Sequence, residues 1–164
     1  MKAPDIQVEI EPPTEILRTS GQQTAKRAAA VLLDLDVGFK VPTSREREAI
    51  LVAFVLEGFV VYGKAFDVVK LARPITLDDP DDVRRNIDFI TLYEIKSTNK
   101  DSVTPNFERY FFSLSTAELL VAQNLGPRYR FAFVNIKSRT HIELTLREVF
   151  ARARGIYPTW SIQF

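Results

Sequence analysis

The pattern of apolar and polar positions alternates between a helical period and a strand period along the chain. Strong helix formers fill residues 28–33 and 49–56, and each run is followed by a glycine, Gly38 or Gly58. Runs rich in β-branched and aromatic residues predict strands at 59–62, 65–71, 87–98, 110–114 and 129–136. Further helices are predicted at 117–124 and from Thr145 to Gly155. This order of elements predicts an α/β fold in which helices flank a central mixed β-sheet.

Predicted helix starts carry a capping box, in which Ser or Thr precedes Glu by three residues. The pairs are Thr43 and Glu46, Ser115 and Glu118, and Thr145 and Glu148. The first helix has two candidate starts, Ser20 and Thr24. Residues 1–19 contain several prolines and predict an N-terminal arm or an edge strand, and residues 73–86 predict a turn. Residues 20–164 are predicted to form a single domain.

The longest predicted strand, residues 87–98, has apolar side chains on both faces, which is typical of a central strand covered on both sides. Near its end, Glu94 and Lys96 share one face, because side chains two residues apart on a strand point the same way. Charges inside an apolar sheet are costly unless each has a partner, such as a metal ion, another charge or a phosphate. The pair Glu94 and Lys96 therefore predicts a functional site.

Composition narrows the classes of protein that this chain can represent. Its 164 residues, 46% hydrophobic and 26% charged, have the make-up of one globular domain. The absence of cysteine excludes disulfides, thiolate metal ligands and a cysteine nucleophile. The longest apolar run, residues 49–62, is interrupted by Glu57 and Gly58 and is too short to span a membrane. We therefore expect no membrane partner and a cytoplasmic location.

The formal net charge is only +1, so a nucleic-acid partner requires a local basic patch. The candidate phosphate contacts are Arg45, Arg47, Lys100, Arg109, Arg128, Arg130, Lys137, Arg139, Arg147, Arg152 and Arg154. The spacing of these residues in the sequence does not show whether they line a groove or lie scattered over the solvated surface. The only histidine, His141, follows Arg139 and Thr140 and is predicted to be a surface or turn residue and not a metal ligand.

A hard cation such as Mg²⁺ takes oxygen ligands, and Glu94 and the Ile95 carbonyl offer two of them. A second carboxylate must come from elsewhere in the chain. Asp88 lies on the same face as Glu94, but six residues of extended chain separate the two by roughly 20 Å. Asp88 and Glu94 therefore cannot share an ion on a regular strand.

Asp67 is better placed. If residues 65–73 and 87–98 pair as a hairpin with its turn near Asp81, Asp67 falls directly opposite Glu94. Opposed residues of an antiparallel pair have Cβ atoms about 4.5–5.5 Å apart, and two carboxylates that close repel unless a cation or proton lies between them. The arrangement predicts a bound cation.

Two short segments resemble the PD-(D/E)xK nuclease superfamily, which has the restriction-endonuclease-like fold. They are Gly63-Lys64-Ala65-Phe66-Asp67 and Tyr93-Glu94-Ile95-Lys96, followed by the helix opening at Ser115 and the apolar strand at 129–134. The resemblance covers about residues 44–137.

This resemblance implies Mg²⁺-dependent hydrolysis of DNA by an endonuclease. Asp67 and Glu94 would bind Mg²⁺ and Lys96 would position or activate the water. A literal Pro-Asp precedes Glu94 at Pro80-Asp81, whereas Asp67 follows Phe66 and departs from the Pro-Asp of the family motif, so Asp81 remains an alternative first acid. Cutting both strands needs two sites, which predicts a homodimer.

A second hypothesis keeps the same fold without catalysis. Glu94 and Lys96 would then be a structural ion pair in a module that binds nucleic acid or protein. An enzyme of another kind is disfavoured, because the chain has no glycine-rich phosphate loop and no Ser-His arrangement.

Overall fold

The computed structural model describes residues 14–35 and 38–158. Within these residues the chain forms five α-helices and five β-strands. In chain order they are α1 (Thr14–Leu35), β1 (Phe39–Lys40), α2 (Ser44–Leu56), β2 (Val68–Leu71), α3 (Pro80–Arg85), β3 (Ile90–Thr98), α4 (Thr116–Leu125), β4 (Tyr129–Asn135), β5 (Thr140–Leu144) and α5 (Leu146–Arg152). Single turns of 3₁₀-helix, Ile87–Phe89 and Gly126–Arg128, lead into β3 and β4.

The strands form one sheet in the order β1-β2-β3-β4-β5. β3 and β4 run parallel and are joined through α4, whereas the other neighbouring strands pair antiparallel. A parallel pair needs a long crossover connection, which the helical segment between β3 and β4 provides. The predicted α/β class, with helices flanking a mixed sheet, is confirmed.

Helices cover both faces of the sheet. On one face, Ala28 and Leu32 of α1 pack against Tyr93 and Ile95 of β3. On the other face, a larger core joins α2, α3, α4 and α5 to the opposite side of the same strands, where Leu92 is fully buried. The prediction that β3 is a central strand covered on both sides is confirmed.

The three predicted capping boxes are present. In each, the Ser or Thr hydroxyl accepts a hydrogen bond from the Glu amide, and the Glu carboxylate accepts one from the amide of the capping residue. Gly126 ends α4 at φ 55° and ψ −122°, a conformation open to glycine alone. These helix limits follow from local chemistry and agree with the sequence.

The strands predicted at 59–62 and 110–114 are wrong. Both segments are irregular and do not join the sheet, and only Phe59, Val61, Tyr110, Phe112 and Leu114 of them pack on the core. The short strands β1 and β5 were not predicted, because neither has a long run of β-branched or aromatic residues. The predicted turn at 73–86 contains α3, which Asp79 caps and Pro80 begins.

The ends of the described chain also differ from expectation. α1 begins at Thr14, before Ser20 and Thr24, so residues 14–19 of the predicted arm belong to a helix. Residues 1–13 and 159–164 lie outside the described residues. In the part of the chain that the structure describes, no helix has the length and apolar character needed to cross a membrane.

Candidate active site

Asp67 immediately precedes β2, just beyond the last residue pair that joins β2 to β3. The last pair, Val68 opposite Tyr93, has the predicted register, which brings Asp67 next to Glu94. Asp67 is not part of the ladder, and its amide donates to the Tyr93 carbonyl oxygen at 2.8 Å. The Asp67 carboxylate oxygen Oδ2 accepts from the Ile95 amide at 2.9 Å. The carboxylate of Asp67 is therefore held against the backbone of β3.

Glu94 and Lys96 of β3 point toward α4. Lys96 Nζ lies 3.0 Å from Glu94 Oε1 and 2.7 Å from Glu118 Oε2. All three side chains are only 12% exposed. The same Glu118 oxygen accepts from the Ser115 amide at 3.2 Å, so the capping box of α4 fixes the orientation of Glu118. We call Asp67, Glu94, Lys96 and Glu118 the acidic cluster.

Negative charge exceeds positive charge around the acidic cluster, where Lys96 contacts Glu94 and Glu118, and Arg47, whose charge interacts with Asp67, is the only other cation for three carboxylates among the described contacts of the cluster. Burial, followed by the negative charge of Asp67, raises the pKa of the Glu94 carboxyl to about 8, although the charge of Lys96 acts in the opposite direction. Near neutral pH Glu94 therefore holds a proton unless another cation is present. A divalent cation bound by Asp67 and Glu94 would take the place of that proton.

Arg47 of α2 holds the loop that carries Asp67. Its Nη1 donates to the carbonyl oxygens of Gly63 at 2.8 Å and Phe66 at 2.6 Å, and its Nη2 donates to the carbonyl oxygen of Asp67 at 3.3 Å. Burial lowers the pKa of Arg47, and the charge of Asp67 acts in the opposite direction. Arg47 was a candidate phosphate contact, but its guanidinium binds main-chain carbonyls instead.

Tyr129 of β4 also fixes the loop that precedes Asp67. Its ring is fully buried, and its hydroxyl donates to the carbonyl oxygen of Ala65. Burial, together with the negative charges of Glu94, Glu118 and Asp67, raises the pKa of the Tyr129 hydroxyl, which therefore stays protonated. Tyr129 and Arg47 together restrict the position of the carboxylate that follows this loop.

The donor set of the acidic cluster has the hard oxygen chemistry that Mg²⁺ takes. It consists of the carboxylates of Asp67 and Glu94, with the Ile95 carbonyl beside them. A strand residue that pairs on one side sends its N–H and C=O to that same side, so the Ile95 carbonyl faces Asp67, which binds the Ile95 amide. Among the described residues, no group of three or more His, Asp or Glu side chains could hold a metal ion. Glu118 is engaged by Lys96 and by the helix cap.

The alternative acids lie elsewhere. Asp81 is in the first turn of α3, where its amide donates to Asp79 Oδ1 at 3.0 Å, and its charge acts on Arg84 and not on Glu94. Asp88 is in the 3₁₀ turn before β3 and forms an ion pair with Arg128. The structure brings Asp67, and neither of these two, next to Glu94.

His141 does not lie in a turn, and its side chain on the edge strand β5 is partly exposed, at 19%. His141 lies on β5, on the face of the sheet that α1 covers, and its Nε2 is 3.5 Å from Glu143 Oε1. The same Glu143 accepts from Lys70 Nζ at 3.0 Å and from the Tyr93 hydroxyl at 2.6 Å. We call Lys70, Tyr93, His141 and Glu143 the Glu143 cluster.

Electrostatically, the Glu143 cluster is the reverse of the acidic cluster. Burial alone would raise the pKa of Glu143, but hydrogen bonds from Tyr93 and Lys70 and the charge of Lys70 outweigh it, and the pKa is lowered. One carboxylate here has several donors, so the charge of Glu143 is satisfied within the protein.

The structure sorts the candidate phosphate contacts by their partners. Several form exposed ion pairs: Arg45 with Asp78, Arg128 with Asp88, Lys137 with Asp101 and Arg139 with Asp34. Lys100, Arg109 and Arg154 instead line one groove. This grouping is a property of the tertiary structure that spacing in the sequence did not show.

Glu118, Tyr129 and Arg47 belong to the site but were not predicted as parts of it from the sequence. Glu118 was assigned only to a helix cap, which it also forms. The cap itself was a usable signal, because the parallel crossover places the start of α4 over the end of β3. No sequence signal distinguishes Arg47 from Arg45, since only the fold decides which of them points at the loop.

Comparison with known proteins found no family model that matches the chain, and no curated protein or solved structure with significant similarity. The resemblance to PD-(D/E)xK nucleases stays a prediction that depends on the residues of the acidic cluster.

Proposed function

We propose that this protein is a Mg²⁺-dependent endonuclease that hydrolyses DNA phosphodiester bonds, with a restriction-endonuclease-like core. The observation that carries the proposal is the convergence of Asp67, which immediately precedes β2, with Glu94 and Lys96 of the paired strand β3. In that position Asp67 and Glu118 raise the pKa of Glu94 further than burial, the largest cause, does on its own, and two cations, Lys96 and Arg47, face three carboxylates. A structural ion pair would need no surplus acid.

Asp67 and Glu94 would hold the ion, together with the Ile95 carbonyl. Bound there, Mg²⁺ would polarise the phosphoryl oxygen and lower the pKa of a bound water. The protein contributes the position of the ligands, because Arg47 and Tyr129 fix the loop before Asp67. Ligands held in place in advance lose little entropy when the ion and the substrate bind.

Lys96 would orient the attacking water or a phosphate oxygen. Its ammonium has three N–H donors, and Glu94 and Glu118 accept two of them. The third N–H is left for the substrate. Because both acceptors are mostly buried, the ammonium is held in one direction, as a positioning group requires.

The alternative is a catalytically inactive module of the same fold that binds nucleic acid or protein. The observation in its favour is the internal ion-pair network, in which Lys96 already joins Glu94 and Glu118. In that case the acidic cluster would stabilise the packing of α4 on β3 and would do no chemistry.

Cleavage assays separate the two functions. Supercoiled plasmid and labelled oligonucleotides are incubated with Mg²⁺, Mn²⁺ or chelator, using the native chain and the variants Asp67→Asn, Glu94→Gln and Lys96→Met. Glu143→Gln is the matched control, because Glu143 is also a partly buried carboxylate but belongs to the opposite face. We expect metal-dependent cutting that the three cluster variants lose and the control keeps.

The contrary results are equally specific. No cutting by the native chain with any metal, with unchanged DNA binding in the variants, would establish the inactive module. Cutting kept in Asp67→Asn and lost in Asp81→Asn would reassign the first acid. If the enzyme acts as a homodimer, the native chain should linearise plasmid directly, and light scattering should give twice the mass of one chain.

A further inference from the structure

A groove of about 650 Å³ opens beside the end of β3, outside the acidic cluster. Its lining combines basic and aromatic side chains with short polar ones. The residues are Lys100, Ser102, Val103, Thr104, Glu108, Arg109, Tyr110, Phe111 and Arg154. Three cations face one carboxylate, so the groove is positively charged although the whole chain is nearly neutral.

The three cations of the groove are free to bind a ligand. In the described parts of the chain, no ion pair or hydrogen bond joins the charged ends of Lys100, Arg109 or Arg154 to another residue. Other surface cations differ, as the pairs of Lys137 with Asp101 and Arg128 with Asp88 show. A set of unpaired cations along one groove attracts an anionic ligand.

Phe111 is presented to solvent by the packing of its neighbours. Tyr110 and Phe112 turn inward, where the ring of Phe112 lies 4.8 Å from that of Phe133. Phe111, between them on the extended segment, points outward and is 78% exposed. Arg109 adopts φ 60°, a left-handed conformation that non-glycine residues rarely take. The aromatic packing thus holds an exposed ring beside unpaired cations.

The groove adjoins the acidic cluster on the same side of the sheet. The Tyr110 hydroxyl donates to the carbonyl oxygen of Ser97 at 2.7 Å, directly after Lys96. The Tyr110 ring also contacts Phe133, which is the sheet neighbour of Lys96, at a centroid distance of 6.2 Å. Lys100 follows Lys96 by four residues, which is at most about 13 Å of extended chain.

We infer that this groove binds a single-stranded segment of DNA, with Phe111 stacking on an unpaired base and Lys100, Arg109 and Arg154 contacting its phosphates. A positive groove with an exposed aromatic ring is the combination that binds unpaired nucleic acid, because every base offers a face for stacking. A base within a duplex has no free face for Phe111. We further infer that the bound strand continues from the groove to the acidic cluster, and this part of the inference rests on the proposed function.

Binding is measured by fluorescence anisotropy with chelator present, so that cleavage plays no part. The probes are a labelled single-stranded DNA, its duplex and the RNA of the same sequence. We expect the single strand to bind more tightly than the duplex, and Phe111→Ala to weaken single-strand binding about 5- to 100-fold. Phe111→Trp keeps a stacking face and should bind like the native chain.

The cations are tested through salt dependence. Three phosphate contacts on a single strand give a slope of log affinity against log salt of about −2, and Arg109→Ala should reduce its magnitude by about 0.7. The matched controls are Leu56→Ala, an exposed apolar residue on α2, and Arg27→Ala, an exposed cation on α1. Both should bind like the native chain.

The outcomes distinguish this inference from the proposed function. Equal binding of single strand and duplex, or no effect of Phe111→Ala, overturns the inference even if metal-dependent cutting is observed. Tighter binding of the RNA overturns the assignment to DNA. Selective single-strand binding that depends on Phe111 supports the groove even if no cutting occurs, in which case only the nuclease proposal fails.

Discussion

Two polar clusters lie on opposite faces of the same sheet, and β3 contributes to both through consecutive residues. Tyr93 points toward α1 and joins the Glu143 cluster, whereas Glu94 points toward α4 and joins the acidic cluster. In the Glu143 cluster one carboxylate has several donors and a lowered pKa. In the acidic cluster three carboxylates face Lys96 and the nearby Arg47, and burial, followed by the charge of Asp67, raises the pKa of Glu94.

The difference separates a structural network from a candidate site. A cluster in which every charge has a partner within the protein adds to the stability of the fold and needs no bound ion. A cluster with surplus buried acid costs stability until a proton or cation arrives, a cost that proteins commonly carry at functional sites. The unbalanced charge, and not burial of charge alone, is the reason that we take the acidic cluster as the candidate site.

The largest expected contrast is in activity. Glu94→Gln or Asp67→Asn should lower the rate of Mg²⁺-dependent cleavage by about 10²- to 10⁴-fold, because each removes a ligand charge. Glu143→Gln should change the rate less than about threefold, since it touches nothing on the α4 face. Initial rates of plasmid cleavage at saturating Mg²⁺ measure both. Equal losses in Glu94→Gln and Glu143→Gln would remove the distinction between the clusters.

The second contrast concerns the loop at residues 63–67, which positions Asp67 in the acidic cluster. Arg47→Lys should weaken Mg²⁺ binding about 10- to 100-fold, because an ammonium cannot reach all the carbonyls that the guanidinium fork holds around Asp67. Arg45→Lys is the matched control, as Arg45 is exposed and lies 3.9 Å from Asp78. Calorimetric titration gives both affinities. Unchanged affinity in Arg47→Lys would show that the loop does not need this support.

The third contrast concerns stability, because the variants Glu94→Gln and Glu143→Gln should change the free energy of unfolding in opposite directions. Without metal at pH 8, Glu94→Gln should raise the free energy of unfolding by about 1 to 3 kcal/mol, because it removes surplus buried charge. Glu143→Gln should lower that free energy by about 1 to 3 kcal/mol, because it replaces the charged acceptor of the hydrogen bonds from Lys70 and Tyr93 with a neutral amide. Urea denaturation measures both changes, and a shift of the same sign in the two variants would contradict the comparison.

The same two carboxyls predict opposite dependences on pH. The pKa of Glu94 is about 8 in the folded state against a usual value of 4.5, so its contribution to stability is fully present below pH 4.5 and is lost as the pH rises to about 8. The gain in Glu94→Gln should therefore grow over that window and then level off. The pKa of Glu143 is lowered, so its contribution is present above pH 4.5 and is lost at more acidic pH.

The smallest contrast concerns single hydroxyls. Tyr93→Phe and Tyr129→Phe each remove one hydrogen bond, and each should lower the free energy of unfolding by about 0.5 to 1.5 kcal/mol. Only Tyr129→Phe should also weaken Mg²⁺ binding, because its hydroxyl holds the carbonyl of Ala65 in the loop before Asp67. Loss of Mg²⁺ binding in Tyr93→Phe would instead couple the two faces of the sheet.

Local chemistry in the sequence determined the helix starts and the central strand. The capping boxes at Thr43, Ser115 and Thr145 predicted three helices, because a side chain that satisfies the free amides of a first turn acts within three residues. The apolar residues on both faces of residues 87–98 predicted β3, and a hairpin with its turn near Asp81 predicted the register that brings Asp67 next to Glu94.

Only the tertiary structure decided the rest. Residues 59–62 and 110–114 have the composition of strands but lie outside the sheet, since a strand exists only where a neighbour accepts its hydrogen bonds. The partners of the charged side chains are also decided by the tertiary structure. Glu118 contacts Lys96 across 22 positions in the sequence, and His141 meets Glu143 only in the folded sheet. Periodicity and capping act between near neighbours in sequence, whereas the charge balance of a site is the sum over residues that folding alone brings together.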